Sequence, residues 1–252
     1  KHTSNDNPLR MWGIQGYDSV AMMEKVAKYS VRVTDPCQAL FELEKASKIS
    51  LESRPGPVWV EIPMDIQSSK LPVGNLKRYS SKISAAFEPT PDEISSVVEA
   101  LKKSERPLLW LGHGIRLSGA ISQLQVLLEQ LDIPALVSWA GIDMVDSNHP
   151  RILGRAGVYG QRAANFTLQN CDYLLAIGTR LAIPQVGYDL TELARGASID
   201  LVDIDADEGA KLGTRIDKFI HSDAAKFIEE LLKHTTGGVG AKSDWLLQCQ
   251  TY

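Results

Sequence analysis

The run Pro107-Leu108-Leu109-Trp110-Leu111-Gly112-His113-Gly114 decides how the chain is to be read. Five residues without polar alternation, ending in glycines, have the form of a strand buried on both faces. Such strands belong to parallel sheets, and each needs a crossover, usually a helix, before the next strand. The sequence downstream supplies that alternation. Ile121, Leu124, Leu128 and Leu131 mark one face of a helix, and Pro134 to Val137 is a second strand. A long glycine-bearing stretch fills 139–161, followed by a helix from Ala163 to Asn170 and a strand from Tyr173 to Ile177. A short helix over Thr191 to Arg195, a strand over Ile199 to Ile204 and a last short strand at Phe219-Ile220 follow. Asp223 then caps a helix carrying Phe227, Ile228, Leu231 and Leu232. Upstream, Thr90-Pro91-Asp92-Glu93 is a capping box opening a helix with the stripe Ile94, Val97, Val98 and Leu101. The expected class is α/β, a parallel sheet with helices on both faces.

Residues 1–13 are polar and read as a tail or loop, and the apolar patch from Gln15 to Lys28 has a mixed period. Thr34-Asp35-Pro36 starts a helix that runs to about Leu51, with Asp35 as cap, Pro36 at the first helical position and Gln38 closing a capping box. Ser53-Arg54-Pro55-Gly56-Pro57 breaks it, and Val58 to Ile62 is a short strand closed by Pro63. Residues 65–90 lack periodicity and read as a linker, and Gly237-Gly238-Val239-Gly240 as a flexible exit. The domain division expected is 1–70, a linker at 71–89, a main α/β domain at 90–235, and a linker with the start of another domain at 236–252. The chain opens at Lys1 and stops inside a helix-like stretch at Trp245-Leu246-Leu247, so a piece of a longer protein is expected.

Composition narrows the function classes. The 252 residues are 44% hydrophobic and 23% charged, ordinary globular usage. With 27 basic and 31 acidic side chains there is no electrostatic reason to expect nucleic acid or an anionic membrane as partner. No apolar run approaches the ~18 residues of a membrane span. Three widely spaced cysteines, Cys37, Cys171 and Cys249, fit a reducing, cytoplasmic setting. The five histidines share no metal-ligand spacing, and neither a Gly-x-Ser-x-Gly elbow nor a phosphate-binding P-loop occurs.

In an open parallel sheet, ligands sit outside the carboxyl ends of the strands. The candidate loops are therefore Gly112-His113-Gly114, Ser138 to Gly141, Gly154 to Gly160, Gly178-Thr179-Arg180 and Asp203-Ile204-Asp205. Glycines let a backbone approach a phosphate or a flat ring, Arg180 is suited to a phosphate, and Asp203 to ribose hydroxyls. The same features serve plain architecture: glycines turn strand ends, and Asp203 and Asp205 equally cap the following turn. The loop departs from the dinucleotide fingerprint, because Gly119 follows Gly114 in the wrong place and the next strand ends in Ser138-Trp139 without an acid. An ordinary NAD site is excluded there.

Several motifs together resemble one family. Leu9-Arg10 to Gln15, Lys28-Tyr29-Ser30, Asp35-Pro36 and Arg54-Pro55-Gly56-Pro57 through Pro63-Met64-Asp65 resemble the acetolactate synthase branch of thiamine-diphosphate enzymes. Gly157 to Phe166, Gln169 to Asp172, Gly178 to Leu181 and Val202 to Asp205 follow in the family's order. The resemblance implies that residues 1–70 are the end of the pyrimidine-binding domain and 90–235 a Rossmann-like central domain. It implies a homodimer or homotetramer acting on pyruvate or a related 2-oxo acid, with thiamine diphosphate and Mg²⁺ as cofactors. It also implies FAD, or another adenine nucleotide, in the central domain. The crevice would be lined by Gly112, His113, Gly114, Ser138, Gly154, Gly157, Gly178, Arg180, Asp203, Ile204 and Asp223, with Gln15 and Lys28 toward the active site. There are departures. Gln15 is followed by Gly16 where the family has Glu, and His113 stands in the middle of a turn usually built of small residues. The family's activating Glu would lie upstream of Lys1, and its Gly-Asp-Gly metal motif is not in this chain, so the chain alone is expected to be inactive. The alternative is a non-catalytic oligomerisation scaffold with an empty nucleotide crevice.

Overall fold

A computed structural model of the chain describes residues 14, 16–71, 73–80, 87–240 and 242–252. It divides into two compact units, Lys1–Ser84 and Ala85–Tyr252.

In the first unit, α1 (Ser19–Met23) is capped by the Asp18 side chain. The strands β1 (Tyr29–Arg32) and β2 (Val58–Glu61) pair in parallel, with Tyr29 opposite Val58 and Arg32 opposite Glu61. They are joined through a 3₁₀ turn, Pro36–Gln38, and α2 (Ala39–Leu51), a single β-α-β crossover. Asp35 caps as expected, its carboxylate accepting from the Cys37 amide at 2.9 Å. Gln38 forms no capping bond, because the 3₁₀ turn places it at the N-cap of α2 instead. A short α3 (Met64–Gln67) follows. Residues 77–79 are fastened back: the Lys77 amide donates to the Cys37 carbonyl at 3.1 Å and the Tyr79 amide to Glu44 at 2.9 Å.

The second unit begins with α4 (Pro91–Lys103), where Thr90 and Glu93 form the expected capping box. Then come β3 (Pro107–Leu111), α5 (Gly114–Leu117), α6 (Ile121–Leu131) and β4 (Ala135–Val137). After a long loop come α7 (Arg162–Asn170), β5 (Tyr173–Ile177), α8 (Ile183–Val186) and β6 (Ser198–Asp203). The unit ends with α9 (Ala206–Ala210), β7 (Lys218–His221), α10 (Ala224–His234) and α11 (Ser243–Thr251). The short helix expected over 191–195 is a 3₁₀ turn at Leu190–Glu192.

All five strands are parallel, in the order β4-β3-β5-β6-β7. This is a doubly wound, Rossmann-like sheet with its topological switch point between β3 and β5. Period-two alternation sends Leu109, Leu111, Leu175 and Ile177 into one core with α4, α6 and α10. Leu108, Trp110, Leu174 and Ala176 enter a second core with α7 and α11. The unalternated apolar runs follow from this: both faces of every central strand are covered. The free edge of β4 is closed by residues 151–154, whose Arg151 and Gly154 carbonyls accept the amides of Ala135 and Val137.

Candidate functional site

The sheet brings the loops expected to act together to one place, the carboxyl ends of its strands. At the switch point the loops after β3 and β5 meet backbone to backbone. The Gly112 amide donates to the Ile177 carbonyl at 2.8 Å and the Gly114 amide to the Gly178 carbonyl at 2.9 Å. A methyl group on Gly112 would overlap the carbonyl of Gly178, and one on Gly178, whose φ is +59°, would lie 2.9 Å from the Gly114 Cα. These three glycines are therefore required by close packing alone, independent of any ligand. Beside them the Thr179 hydroxyl is buried with no hydrogen-bond partner among the described residues. An orphaned buried hydroxyl is costly; in the sequence Thr179 shows only as the middle residue of the candidate Gly178-Thr179-Arg180 loop.

His113 reaches sideways. Its Nδ1 lies 2.7 Å from the Ala140 carbonyl, linking the loop after β3 to the loop after β4. A carbonyl only accepts, so Nδ1 carries the hydrogen and, in the neutral ring, Nε2 is an acceptor. Ser138 continues the ladder, its amide donating to the Leu111 carbonyl at 2.8 Å. Beside it the Trp139 and Tyr159 rings lie 5.6 Å apart, both with exposed surface.

Beside β4 a cavity of about 220 Å³ is lined by Val137, Ile142, Val145, Ile152, Arg155 and Gln161, among others. Gly154, with φ +101°, sits against the Gln161 amide, whose Oε1 accepts from the Arg155 backbone at 2.8 Å. In the sequence Arg155 shows only as part of a glycine-rich run, and Gln161 as part of the Gly157 to Phe166 stretch that carries the resemblance. Gly157, at φ +110°, packs on the backbone of Pro184 and Gln185.

Across the switch point, the Arg180 Nε donates to Glu208 at 2.6 Å. Glu208 is buried and also holds Lys211, which reaches back to the Arg180 carbonyl. The clamp, 28 residues apart in sequence, fixes the direction of a guanidinium that remains largely exposed. Asp203 accepts from the Asp205 amide at 3.0 Å, and Asp205 caps α9. Ile204 presents its carbonyl to His221 Nε2 at 3.0 Å, and Asp223 caps α10 through the Ala225 and Lys226 amides. Asp203, Ile204 and Asp223 thus lie on the carboxyl edge, each with a structural task of its own.

Of the two residues expected near an active site, Gln15 lies outside the described residues. Lys28 is fully engaged: its ammonium donates to the carbonyls of Ile49, Glu52 and Arg54 at 2.7, 2.8 and 2.8 Å. It ends α2 and fixes the Arg54-Pro55-Gly56-Pro57 turn, where a methyl on Gly56 would lie 2.9 Å from its Cδ. Burial pushes the Cys171 thiol up to about 12 and the Cys249 thiol up to about 11, so neither is a ready nucleophile.

The comparisons with known proteins agree with this architecture. Residues 94–231, from α4 to α10, match the family model "Thiamine pyrophosphate enzyme, central domain". The chain belongs to this family. It is 30% identical over 223 residues to a probable acetolactate synthase large subunit of Methanococcus aeolicus, covering 87% of this chain and 37% of that one. It is 34% identical over 179 residues to the acetolactate synthase isozyme 2 large subunit of Escherichia coli K12, covering 69% and 32%. An acetolactate synthase large subunit of Lactococcus lactis is 27% identical over 224 residues, covering 87% and 38%. The chain therefore spans about a third of the length of these relatives.

Among the described residues no group of three or more His, Cys, Asp or Glu is placed to hold a metal ion. The cavity beside β4, about 220 Å³ and open to solvent, does not by itself enclose a whole FAD, and the rest of such a ligand would lie along the strand-end loops outside it. No helix among the described residues is long and apolar enough to cross a membrane.

Proposed function

We propose that the chain is part of a thiamine-diphosphate-dependent enzyme acting on pyruvate or a related 2-oxo acid, of the acetolactate synthase type. The observation that carries the reading is the coincidence of the family match at 94–231 with the sheet whose strand-end loops converge. Thiamine diphosphate, when bound, supplies the electron sink for the carbanion left by loss of carbon dioxide. Its site, with Mg²⁺, is assigned to flanking domains of a homodimeric or homotetrameric parent, and this chain alone is inactive. Residues 1–70 end the pyrimidine-binding domain, 71–89 link, 90–235 form the central domain, and 236–252 lead into the third. The cysteines, all unpaired, suit a reducing cytoplasm.

Within this chain the proposed role of the central unit is to hold an adenine-containing nucleotide, FAD or a simpler one, along its carboxyl edge. Arg180, aimed by Glu208, is a phosphate partner, and the Thr179 hydroxyl gains the hydrogen bond it lacks. The glycine junction favours a second reading, because packing alone accounts for Gly112, Gly114 and Gly178: an oligomerisation scaffold with an empty crevice. Arg180→Ala and Asp203→Ala separate the two. Loss of nucleotide binding with the fold intact supports the cofactor role, while unchanged behaviour together with self-association in the ultracentrifuge supports the scaffold.

The enzymatic reading is tested by carbon dioxide release from labelled pyruvate and related 2-oxo acids in the presence of thiamine diphosphate and Mg²⁺. The parent protein is expected to turn over and this chain to give no more than the blank. A parent inactive on every 2-oxo acid tried, or lacking an upstream Glu and a downstream Gly-Asp-Gly motif, would overturn it.

A further inference from the structure

We propose that the turn closing α2 is a monovalent-cation site built of backbone carbonyls, and that Lys28 is its tethered cation rather than a group free to meet a substrate. The inference goes beyond the enzymatic reading and stands without it.

The donor count comes first. An ammonium has three N–H donors. Those of Lys28 go to the carbonyls of Ile49, Glu52 and Arg54, at 2.7, 2.8 and 2.8 Å. No donor remains for a carboxylate or a phosphate, and among the described residues no carboxylate is bonded to it.

The backbone is shaped for this convergence. Ile49 lies in the last turn of α2, where carbonyls lack intrahelical partners and the helix end is partly negative. The carbonyls on either side of it are already served: the Glu52 amide donates to that of Lys48 at 3.1 Å and the Gly56 amide to that of Ser50 at 3.0 Å. Ser53 is held at φ +49°, a left-handed conformation uncommon outside glycine, and the Glu52 and Arg54 carbonyls flanking it turn to one point. The Lys28 stem lies on Gly56, where an added methyl would be 2.9 Å from Cδ. Its own amide donates to the Pro57 carbonyl at 2.8 Å. Neutral carbonyls converging on one cation are also what replaces the hydration shell of potassium in selective pores. Here a side chain carries the charge, so the site is filled at every salt concentration. For the enzyme proposed above, Lys28 leaves the set of groups that meet a 2-oxo acid.

The test is hydrogen exchange at the Glu52 and Gly56 amides of the full chain, with tetramethylammonium, ammonium or potassium chloride as the added salt at equal ionic strength. Tetramethylammonium has no N–H and is too large for the carbonyl cage. Lys28→Ala empties the cage and is expected to speed both amides about fivefold in tetramethylammonium, with at least half of that recovered in ammonium or potassium. Lys28→Met fills the approach with its own side chain, so the same acceleration is expected without recovery. The unmodified chain is expected to be indifferent to the cation. Equal exchange of Lys28→Ala in all three salts overturns the proposal, as does a recovery that Lys28→Met shares, which is a general salt effect. Loss of protection throughout residues 16–71 in Lys28→Ala that ammonium leaves uncorrected also overturns it. None of these results bears on turnover of a 2-oxo acid by the parent, so the enzymatic reading stands or falls separately.

Discussion

The two compact units are held together by different means. The second has a five-stranded sheet covered on both faces by two apolar cores. In the first, only Val33 and Ala46 are buried apolar side chains among the described residues, and its sheet has two strands. There, order comes from polar ties instead. Lys28 closes the end of α2, Arg32 bonds Glu61 at 2.6 Å, and Ser19 links Glu61 to the Trp59 indole. An isolated pair of strands is marginal, so these directional bonds carry a share of the work that burial does in the second unit. A core removes water non-directionally and tolerates polar silence. A latch depends on each donor reaching its carbonyl.

The contrast can be broken most strongly in the second unit. Leu128→Ala, fully buried on α6, is expected to cost about 2–5 kcal/mol, read as a fall in the denaturant midpoint. Leu51→Ala, exposed in the first unit, should stay within about 0.5 kcal/mol. An effect smaller than that of Leu128→Ala is expected of Lys28→Met, at an exposed position where water can replace the lost donor to three carbonyls: about 0.5–1.5 kcal/mol, appearing as faster hydrogen exchange in residues 49–57 with the second unit unchanged. A uniform loss across both units would contradict the division into polar latch and apolar core. Thr90→Ala, which removes the capping box of α4, should cost about 1 kcal/mol, confined to the second unit.

The smallest effects are slopes against pH. Burial raises the Asp200 carboxyl above its ordinary 3.8, against the Tyr173 hydroxyl and Lys218, which lower it. A raised acid is at its full contribution below the unfolded value, and the contribution is lost as pH rises through the folded one. Asp200→Asn is therefore expected to flatten the decline in stability just above pH 3.8. Asp172 runs the other way. Burial pushes it up, but the Ser104 hydroxyl and the Glu105 and Arg106 amides outweigh that and hold it below 3.8. Its contribution is present above the unfolded value and disappears as pH falls through the folded one. Asp172→Asn should remove that acid-side loss, as followed by unfolding midpoints from pH 2 upward.

Much of the second unit is legible in the sequence because its determinants are local. The Thr90 and Glu93 pair, the unbroken runs at Pro107–Leu111 and Tyr173–Ile177, and Asp223 ahead of an apolar stripe each declare themselves within a few residues. The elements that escape are those set by distant partners. The strand Tyr29–Arg32 is half-buried, carries a serine and an arginine, and exists because β2 lies beside it. The helix α5 starts directly at Gly114, where two glycines read as loop. Residues 77–79 look like linker but are tied by Glu44 from a turn of α2. The candidate site divides in the same way. Glycine positions at the strand ends show in the sequence, but the reason for three of them, backbone meeting backbone at the switch point, does not. Nor do the Arg180–Glu208 clamp and the tie from His113 to Ala140, which join residues 28 and 27 apart. The helix α11 follows the Gly-rich exit at 237–240 and packs on α7, with the Trp245 indole donating to the Pro107 carbonyl at 3.0 Å. That docking depends on a residue 138 positions away.

The central claim is that the carboxyl edge of the five-stranded sheet is the ligand site of this chain. Hydrogen exchange of the full chain with and without saturating ADP tests it most directly. The account predicts slowed exchange confined to the loops at 112–114, 138–142, 154–161, 178–181 and 203–205, with residues 16–71 unchanged. Protection that falls on the first unit, or at the amino ends of the strands around Asp172 and Asp200, would contradict it.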